Sequence, residues 1–549
     1  MKRPKIILLA LACGVALAGL PASPADASAG SDPIVPIITW SMTDRFGGDD
    51  DGDGLMDLPN TTEYAHNLAP GSCPGGCPEA KFGLIFEAGL SGTTADLAGL
   101  PVTNYRWTVH GGALEAPLRY TTLDPELRLL LPEGRYTMEV AAGIRLGWVS
   151  LSASILEDFE VDDLLIVAIG DSYASGEGNP EAPRVGSSVP ARWAGSSDPA
   201  AVVTHAAARR SSVAWPARVA LAMERVDRST SVTFISVAAS GARIDRGILT
   251  AQGDGLDSSQ IDELRHLVGD RRIDVLLIQA GGNDVGFVRA VRRLIEADPM
   301  LDPICYDMLI ENTFSAVRDG DWSRGVSLGY KAPFSLVCRP DESRRGWSEL
   351  PGLDGLPGAF DRLEGALASF EVGTTVIVGY PDPTGADVAG EQCREIVGDA
   401  TPPFGVHEID RNEQQLGVDL LLGPLNDVIS DAASRRGWIF VGGVAEAFAA
   451  GHGYCAPWPD YGYPAEYGHT APIGGARLSY PEGWFRNPGL GGGPMLLGGI
   501  DVTWYRTAAQ SAVLQGPEAR FDTTGTLHPN EVGHDAIARL VLAAMRPRD

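Results

Sequence analysis

The sequence has little positive charge, few cysteines and no long apolar run after residue 27. Lysine and arginine number 43 against 71 aspartate and glutamate residues, which gives a formal net charge of −28 at pH 7. A surface of that sign repels phosphate groups and argues against a nucleic-acid or anionic-membrane partner. A transmembrane helix needs roughly 20 apolar residues, and no later segment supplies them. The length of 549 residues predicts at least two domains.

The N-terminal residues are typical of a targeting segment. Three of the first five are cationic: Lys2, Arg3 and Lys5. An apolar run from Ile6 to Leu20 follows, and Ala25-Asp26-Ala27 has the small-x-small pattern of a cleavage site. This layout predicts a secretory signal peptide over 1–27 and therefore an extracellular protein. The alternative is a lipoprotein signal with Cys13 lipidated, although the apolar run continues beyond that cysteine.

Cysteine usage agrees with export. Six cysteines remain after residue 27: Cys73, Cys77, Cys305, Cys338, Cys393 and Cys455. An even number in an exported chain indicates disulfides, although six cysteines allow 15 connectivities. Pairing neighbours along the chain predicts the disulfides 73–77, 305–338 and 393–455. A zinc site at Cys73 and Cys77 is the alternative, but a second pair of ligands is missing nearby.

Residues 28–80 contain an acidic loop. Four of its aspartates are candidate calcium ligands: Asp49, Asp51, Asp53 and Asp57. Carboxylates at alternate positions followed by a glycine match the first half of an EF-hand-type loop. The twelfth position is Asn60 where a bidentate glutamate is expected, and Glu63 lies three residues further on. A structural calcium site and a solvated acidic loop both stay open.

Residues 81–161 contain short segments of alternating polarity with turns between them. Three examples are Tyr105–Val109, Leu127–Leu131 and Tyr136–Val140. This spacing is typical of a small β-sandwich of immunoglobulin-like type. The segment carries no constellation of catalytic residues, so a role as spacer, surface contact or docking domain stays open.

From 162 to 549 the pattern changes to strands alternating with helices. Five apolar segments are predicted strands: Leu164–Ile169, Val232–Val237, Val275–Gln279, Thr375–Val378 and Trp438–Val441. This alternation predicts an α/β domain with a five-stranded parallel sheet and helices on both faces. Two stretches, 300–350 and 454–521, are predicted to be irregular. The second is rich in aromatic residues and either walls a substrate cleft or forms a structural surface loop.

Candidate catalytic residues follow three predicted strands and precede the last helix. Ser172 follows the first strand, Gly241 the second and Asn283 the third, while His528 stands before a helix that starts near Asn530. An open α/β sheet places its chemistry at the carboxyl ends of its strands. A nucleophile, a base and oxyanion donors would meet there. For Ser172 alone, the alternative is an ordinary strand-to-helix turn.

The order of these four blocks resembles the SGNH (GDSL) hydrolase family over about Asp163 to Asp549. The stretch through Gly178 resembles its secreted actinobacterial branch, some large members of which have a similar front half. The resemblance implies a flavodoxin-like α/β domain and a carboxylic ester hydrolase that needs no cofactor for catalysis. It also implies that Ser172 is the nucleophile and that His528 is the general base and then the acid. The N–H groups of Ser172 and Gly241 and the side chain of Asn283 would form the oxyanion hole.

The sequence departs from the family pattern at position 525. The family usually has aspartate three residues before the histidine, where it holds the imidazole tautomer, but this chain has Gly525. We expect a main-chain carbonyl near Gly525 to orient His528, with Asp522 as the alternative. Losing the acid lowers the rate without abolishing the reaction.

These features together predict a secreted, monomeric serine esterase or lipase. Its substrate would be a lipid, a small acyl ester or an acetylated glycan. One alternative is a carbohydrate O-deacetylase on the same fold, in which the aromatic residues of 454–521 would stack on sugars. Another is a catalytically dead, calcium-stabilised surface protein, against which the complete set of four block residues argues.

Overall fold

The computed structural model describes 21 stretches of the chain. They are 35–42, 81–91, 102–146, 148–180, 191, 193, 207–226, 228–253, 255–296, 305–324, 326–331, 335–340, 349–385, 395–398, 407–454, 469–473, 476–480, 503–506, 511, 514–515 and 524–546. The signal peptide at 1–27, the calcium loop and Asp522 lie outside these residues, so these three remain predictions. Described residues up to Arg45, from Pro78 to Asp163 and from Glu224 to Ser231 belong to one compact unit, and the others belong to a second.

The first unit contains two antiparallel sheets. Its strands include β1 (Val35–Met42), β2 (Phe82–Ser91), β3 (Val102–Gly111), β4 (Leu118–Thr122), β5 (Glu126–Leu131), β6 (Gly134–Leu146) and the first part of β7 (Val149–Gly170). One sheet has the order β1-β2-β5, and the other runs from β4 through β3 and β6 to β7. Strand β1 lies within the predicted segment 28–80, so the first sheet includes residues before position 81.

The alternation of apolar residues explains how these strands form a core. In β5, Leu127, Leu129 and Leu131 are buried, whereas Leu130 between them is exposed. This is the two-residue period of a strand with one face covered. Trp107 on β3 is buried in the same core, and its indole N–H donates to Thr122 Oγ1 at 2.9 Å. The immunoglobulin-like assignment of this unit remains a prediction.

The second unit is mixed α/β with a mostly parallel central sheet. Beyond the end of β7, its strands include β8 (Thr230–Ser236), β9 (Ile273–Gln279), β10 (Val326–Lys331), β11 (Ser335–Pro340), β12 (Val372–Val378), β13 (Glu395–Gly398), β14 (His407–Asp410), β15 (Ile439–Val441), β16 (His469–Ile473) and β17 (Ala476–Tyr480). The sheet has the order β15-β12-β9-β7, with β8 also paired to β7. The pairs β7/β9, β9/β12 and β12/β15 are parallel. Each strand predicted after residue 162 overlaps one of the strands in this sheet, which are β7, β8, β9, β12 and β15.

Helices pack against this sheet, and their buried apolar residues belong to the same core. They include α1 (Ser172–Ser175), α2 (Trp215–Val226), α3 (Gln260–Val268), α4 (Phe287–Glu296), α5 (Tyr306–Asp319), α6 (Gly352–Leu367), α7 (Arg411–Gly417), α8 (Gly423–Arg436), α9 (Val444–Ala449) and α10 (Glu531–Met545). Helix α10 begins after Asn530, whose side chain accepts from the N–H of Gly533 at 3.0 Å. Among the described helices, none is both long and apolar enough to cross a membrane.

The interval 300–350 is more regular than the sequence indicated. It contains α5 and the antiparallel pair β10–β11, so the prediction of an irregular insertion was wrong. Phe314 and Val317 are buried on one short face of this helix. That short pattern was not recognised in the sequence, because the interval also contains many glycine, proline and tryptophan residues. The predicted disulfide between Cys305 and Cys338 is confirmed. The other four cysteines of the predicted pairs lie outside the described residues.

Candidate active site

Ser172 begins helix α1 directly after strand β7. The turn before it requires Gly170, which has φ +142°, because a Cβ there would lie 2.2 Å from the carbonyl oxygen of Gln279. The N–H of Asp171 donates to that same carbonyl at 3.0 Å. Ser172 is thereby held at the carboxyl end of β7, where open α/β sheets place reactive groups.

The carboxylate of Asp171 braces this turn from inside the protein. It accepts from the N–H of Tyr173 at 3.0 Å and from the hydroxyl of Tyr380. The Tyr380 oxygen in turn accepts from the N–H of Gly282 at 2.9 Å. Burial raises the pKa of Asp171 to about 7, although both hydrogen bonds favour the charged form. The turn that carries Ser172 is thus tied to the loop that precedes Asn283.

His528 lies within hydrogen-bond distance of Ser172. Its Nε2 is 2.7 Å from Ser172 Oγ, and its Nδ1 is 3.1 Å from the carbonyl oxygen of Thr526. A carbonyl can only accept, so this contact assigns the ring proton to Nδ1 and leaves Nε2 as the acceptor. A base that takes a proton from serine requires this tautomer. The carbonyl lies one residue from Gly525, near which the sequence placed it.

The loop that carries His528 is held from two sides. Leu527 has φ +61°, a conformation that costs a residue with a side chain about 1–3 kcal/mol and persists only under constraint. Its carbonyl accepts from the Tyr173 hydroxyl at 2.7 Å, and its N–H donates to the carbonyl of Arg506 at 3.1 Å. The His528 carbonyl accepts from the N–H of Arg506 at 2.8 Å. These three bonds oppose the backbone strain and set the position of the imidazole.

Position 525 has no room for a side chain. A Cβ on Gly525 would lie 2.7 Å from Gly178 Cα and 2.9 Å from Ser511 Oγ. Real Cβ atoms are almost never found closer than 3.0 Å to such neighbours. Gly525 also donates its N–H to Ser511 Oγ at 2.9 Å. An aspartate at this position would therefore collide with the glycine-rich loop after α1.

Arg506 connects the histidine loop to that glycine-rich loop. Its side chain is fully buried, and Nε donates to the carbonyl of Gly178 at 3.1 Å. Nη2 donates to Asn179 Oδ1 at 2.7 Å and pairs with the carboxylate of Glu531, the first residue of α10. Sequence reasoning missed this residue, because an isolated arginine in an irregular stretch gives no signal of partners so far away in the chain.

The predicted oxyanion donors lie at the ends of neighbouring strands. Gly241 follows β8 with φ +75°, and its N–H has no hydrogen-bond acceptor in the described part of the chain. Asn283 follows β9 and donates one Nδ2 hydrogen to the carbonyl of Ala242 at 3.1 Å, which leaves the second for a ligand. Ser172 is the first residue of α1, so its N–H has no acceptor within the helix.

Two buried groups near this site have structural partners. His534 accepts from the N–H of Trp215 through Nδ1 at 3.2 Å, and burial lowers its pKa well below the ordinary value. Asp284 accepts from the N–H of Ile244 at 3.1 Å, and burial raises its pKa to about 7. Both groups therefore have structural roles, His534 in packing and Asp284 in bracing its loop.

Opposing effects act on the pKa of His528. Burial lowers the pKa of His528 because it penalises the charged imidazolium, and the nearby carboxylate of Glu177 raises it. The carbonyl contacts within the loop raise it further. An imidazole under these influences is held neutral and available as a base near pH 7.

Two other features of the described residues bear on ligands. An apolar cavity of about 50 Å³ lies beside the histidine loop, with walls that include Leu527, Phe287, Val291, Leu294, Leu421 and Leu422. No group of three or more His, Cys, Asp and Glu side chains that could hold a metal ion occurs within the ranges that the structure describes.

No protein-family model matches the chain, and no curated protein matches it. Among solved structures, it is similar to an extracellular lipase from Streptomyces rimosus, with 16% identity and a TM-score of 0.35 over 70% of this chain and 100% of that one. It is also similar to phospholipase A1 from Streptomyces albidoflavus, with 16% identity and a TM-score of 0.34 over 70% of this chain and 99% of that one. Likenesses of this size do not decide the reaction, which depends on the geometry around Ser172.

Proposed function

We propose that this chain is a serine hydrolase of the SGNH type that cleaves carboxylic esters through an acyl-enzyme on Ser172. The observation that carries the proposal is the 2.7 Å approach of His528 Nε2 to Ser172 Oγ, with Nδ1 held by a carbonyl. A neutral imidazole in this tautomer activates a serine hydroxyl by accepting its proton. The position of the serine at the carboxyl end of a mostly parallel sheet supports the same proposal.

The reaction then proceeds in two halves. Ser172 Oγ attacks the ester carbonyl carbon while His528 Nε2 takes the hydroxyl proton. The N–H groups of Ser172 and Gly241 and the amide of Asn283 donate to the tetrahedral oxyanion. The alcohol leaves with the proton from His528. A water molecule, deprotonated by the same imidazole, then attacks the acyl-enzyme, and His528 returns that proton to Ser172 Oγ as the acid is released. None of these steps uses a cofactor.

The apolar cavity of about 50 Å³ supports an ester whose acyl part is small and apolar. Leu527 lines it and stands next to His528, and Phe287 lines it from the helix that follows Asn283. An O-deacetylase would instead need aromatic side chains free to stack on sugars. Trp504 and Tyr505, two aromatic residues of the stretch 454–521, are buried and pack against Phe448.

Three further parts of the proposal rest on the sequence alone. We infer export from the signal-peptide pattern of 1–27, and a structural calcium ion from the carboxylate spacing of the acidic loop. The chain is proposed to act as a monomer.

The test compares wild type, Ser172→Ala and Ser231→Ala on p-nitrophenyl acetate, butyrate and palmitate. Ser231 is a matched control, because it is a buried serine of β8 whose hydroxyl has no hydrogen-bond partner among the described residues. Wild type and the Ser231 variant should show a burst followed by turnover. Ser172→Ala should lose at least about 10³-fold in kcat, since removing the nucleophile of a serine enzyme costs up to about 10⁶. Equal activity of the Ser172 variant, or no hydrolysis of any ester by wild type, would overturn the proposal.

A further inference from the structure

Proton transfer from serine creates a buried positive charge on His528. The residue is 6% exposed, and the partner of its Nδ1 is the neutral carbonyl of Thr526. Burying a charge is costly unless an opposite charge compensates it. A buried imidazolium at this position therefore calls for a carboxylate nearby.

Glu177 is a buried carboxylate between the loops that carry the proposed catalytic groups. It follows α1, is 3% exposed, and donates its N–H to the carbonyl of Ser172 at 3.1 Å. Its carboxylate accepts from the hydroxyl of Ser240, the residue before Gly241. The next residue, Gly178, packs against Gly525 in the histidine loop. Glu177 is thus linked to the turn that carries Ser172 and to the loop that carries Gly241. It lies beside the loop that carries His528.

Three other ionisable groups near the imidazole are neutral or paired. Tyr173 packs on the ring with centroids 4.8 Å apart, and burial raises its pKa, so it stays uncharged. Burial lowers the pKa of His534 on α10, so it is neutral as well. The guanidinium of Arg506 pairs with Glu531. The carboxylate of Glu177 is the neighbouring charge that raises the pKa of the imidazole.

We propose that Glu177 is a positioning residue for the hydrolase reaction. Its charge stabilises the imidazolium that His528 becomes during acylation, and its hydrogen bond with Ser240 holds the loop that presents the N–H of Gly241. This inference rests on the proposed function. Glu177 touches neither substrate nor the reacting atoms, and it acts through the two residues that do.

The decisive variant is Glu177→Gln, which keeps the size of the side chain and an amide oxygen that can accept from Ser240. The acid limb of kcat/KM against pH reports the pKa of the base in the free enzyme. Removing a negative charge lowers that pKa, so the limb should move about one unit to lower pH. The weaker base and less stable imidazolium should lower kcat about tenfold, since one pKa unit corresponds to a factor of about ten, while KM changes little.

Two variants complete the design. Glu177→Asp keeps the charge and should return the acid limb to within about 0.3 units of wild type, a small fraction of the shift that a nearby charge produces. Glu224→Gln removes another buried carboxylate and should leave the limb in place. An acid limb in Glu177→Gln that coincides with wild type would overturn the inference.

NMR titration of the His528 ring separates this inference from the proposed function. The ring resonance, assigned by its loss in His528→Asn, titrates whether or not the protein turns over an ester. The inference predicts a lower midpoint in Glu177→Gln than in wild type, and an unchanged midpoint contradicts it. Full activity of Ser172→Ala contradicts the proposed function regardless of the titration.

Discussion

Replacing Gly525 by alanine tests whether the close approach of two loops sets the position of the base. The added Cβ would lie 2.7 Å from Gly178 Cα and 3.2 Å from Gly178 N, both of them backbone atoms. Backbone atoms cannot turn aside as a flexible side chain can, so one loop must move by several tenths of an ångström. His528, three residues further along, donates its N–H to the carbonyl of Gly525 at 3.1 Å and would move with it.

The expected effect follows from the distances involved. A misplacement of about 1 Å in a catalytic group can cost about 10²-fold in rate. We therefore expect Gly525→Ala to lower kcat by about 10- to 100-fold, with a smaller change in KM. Crowding in a packed region should also lower the free energy of unfolding by about 1–3 kcal/mol. Gly525→Asp should be worse still, because it adds a charge to the same collision.

Steady-state kinetics with p-nitrophenyl butyrate and urea unfolding provide the assay. Gly365→Ala is the matched control, because Gly365 lies in α6 and a Cβ there would meet nothing within 4 Å. That change should leave kcat unaltered and raise stability by about 0.5–1 kcal/mol. If Gly525→Ala retained wild-type kcat and stability, the steric explanation for the missing aspartate would be refuted.

Three further variants test other contacts of the site. Tyr173→Phe removes the donor to the Leu527 carbonyl, and it should cost about 1 kcal/mol of stability and lower kcat; unchanged kinetics would contradict the bracing role. Arg506→Met leaves Glu531 without its cation and should lower the free energy of unfolding by about 3 kcal/mol; a loss under about 0.5 kcal/mol, the size of an ordinary surface change, would contradict a buried pair. Burial raises the pKa of Asp284 to about 7, so its contribution to stability is full below about pH 4 and is lost towards pH 7. Wild type should therefore lose stability relative to Asp284→Asn over that range, and parallel pH curves would contradict this.

Features that depend on local pattern could be predicted from the sequence. The apolar segment Leu164–Ile169 predicted a strand of the parallel sheet, and its described residues pair with β9 and are part of the buried core. A glycine follows this run at position 170, directly before Asp171 and Ser172, and a Cβ there would strike the neighbouring strand. These inferences succeed because strand burial and turn geometry depend on a few consecutive residues.

Features that depend on distant partners could not be predicted. Arg506 has its partners at Gly178, Asn179 and Glu531, up to 328 positions away, and a lone arginine gives no indication of them. Glu177 stood beside the serine motif, but its bond to Ser240 requires the fold. Helix α5 was missed for a different reason, since its buried face is short and lies among glycine and proline residues that favour loops.

In the proposed mechanism, Ser172 forms a covalent acyl-enzyme with His528 as the base. The most direct measurement is mass spectrometry of the protein quenched with acid during the burst with p-nitrophenyl butyrate, followed by peptide mapping. The peptide that contains Ser172 should gain the mass of one butyryl group, and no such increase should appear in Ser172→Ala. Continued turnover with no adduct, or an adduct on another residue that survives in Ser172→Ala, would contradict this mechanism.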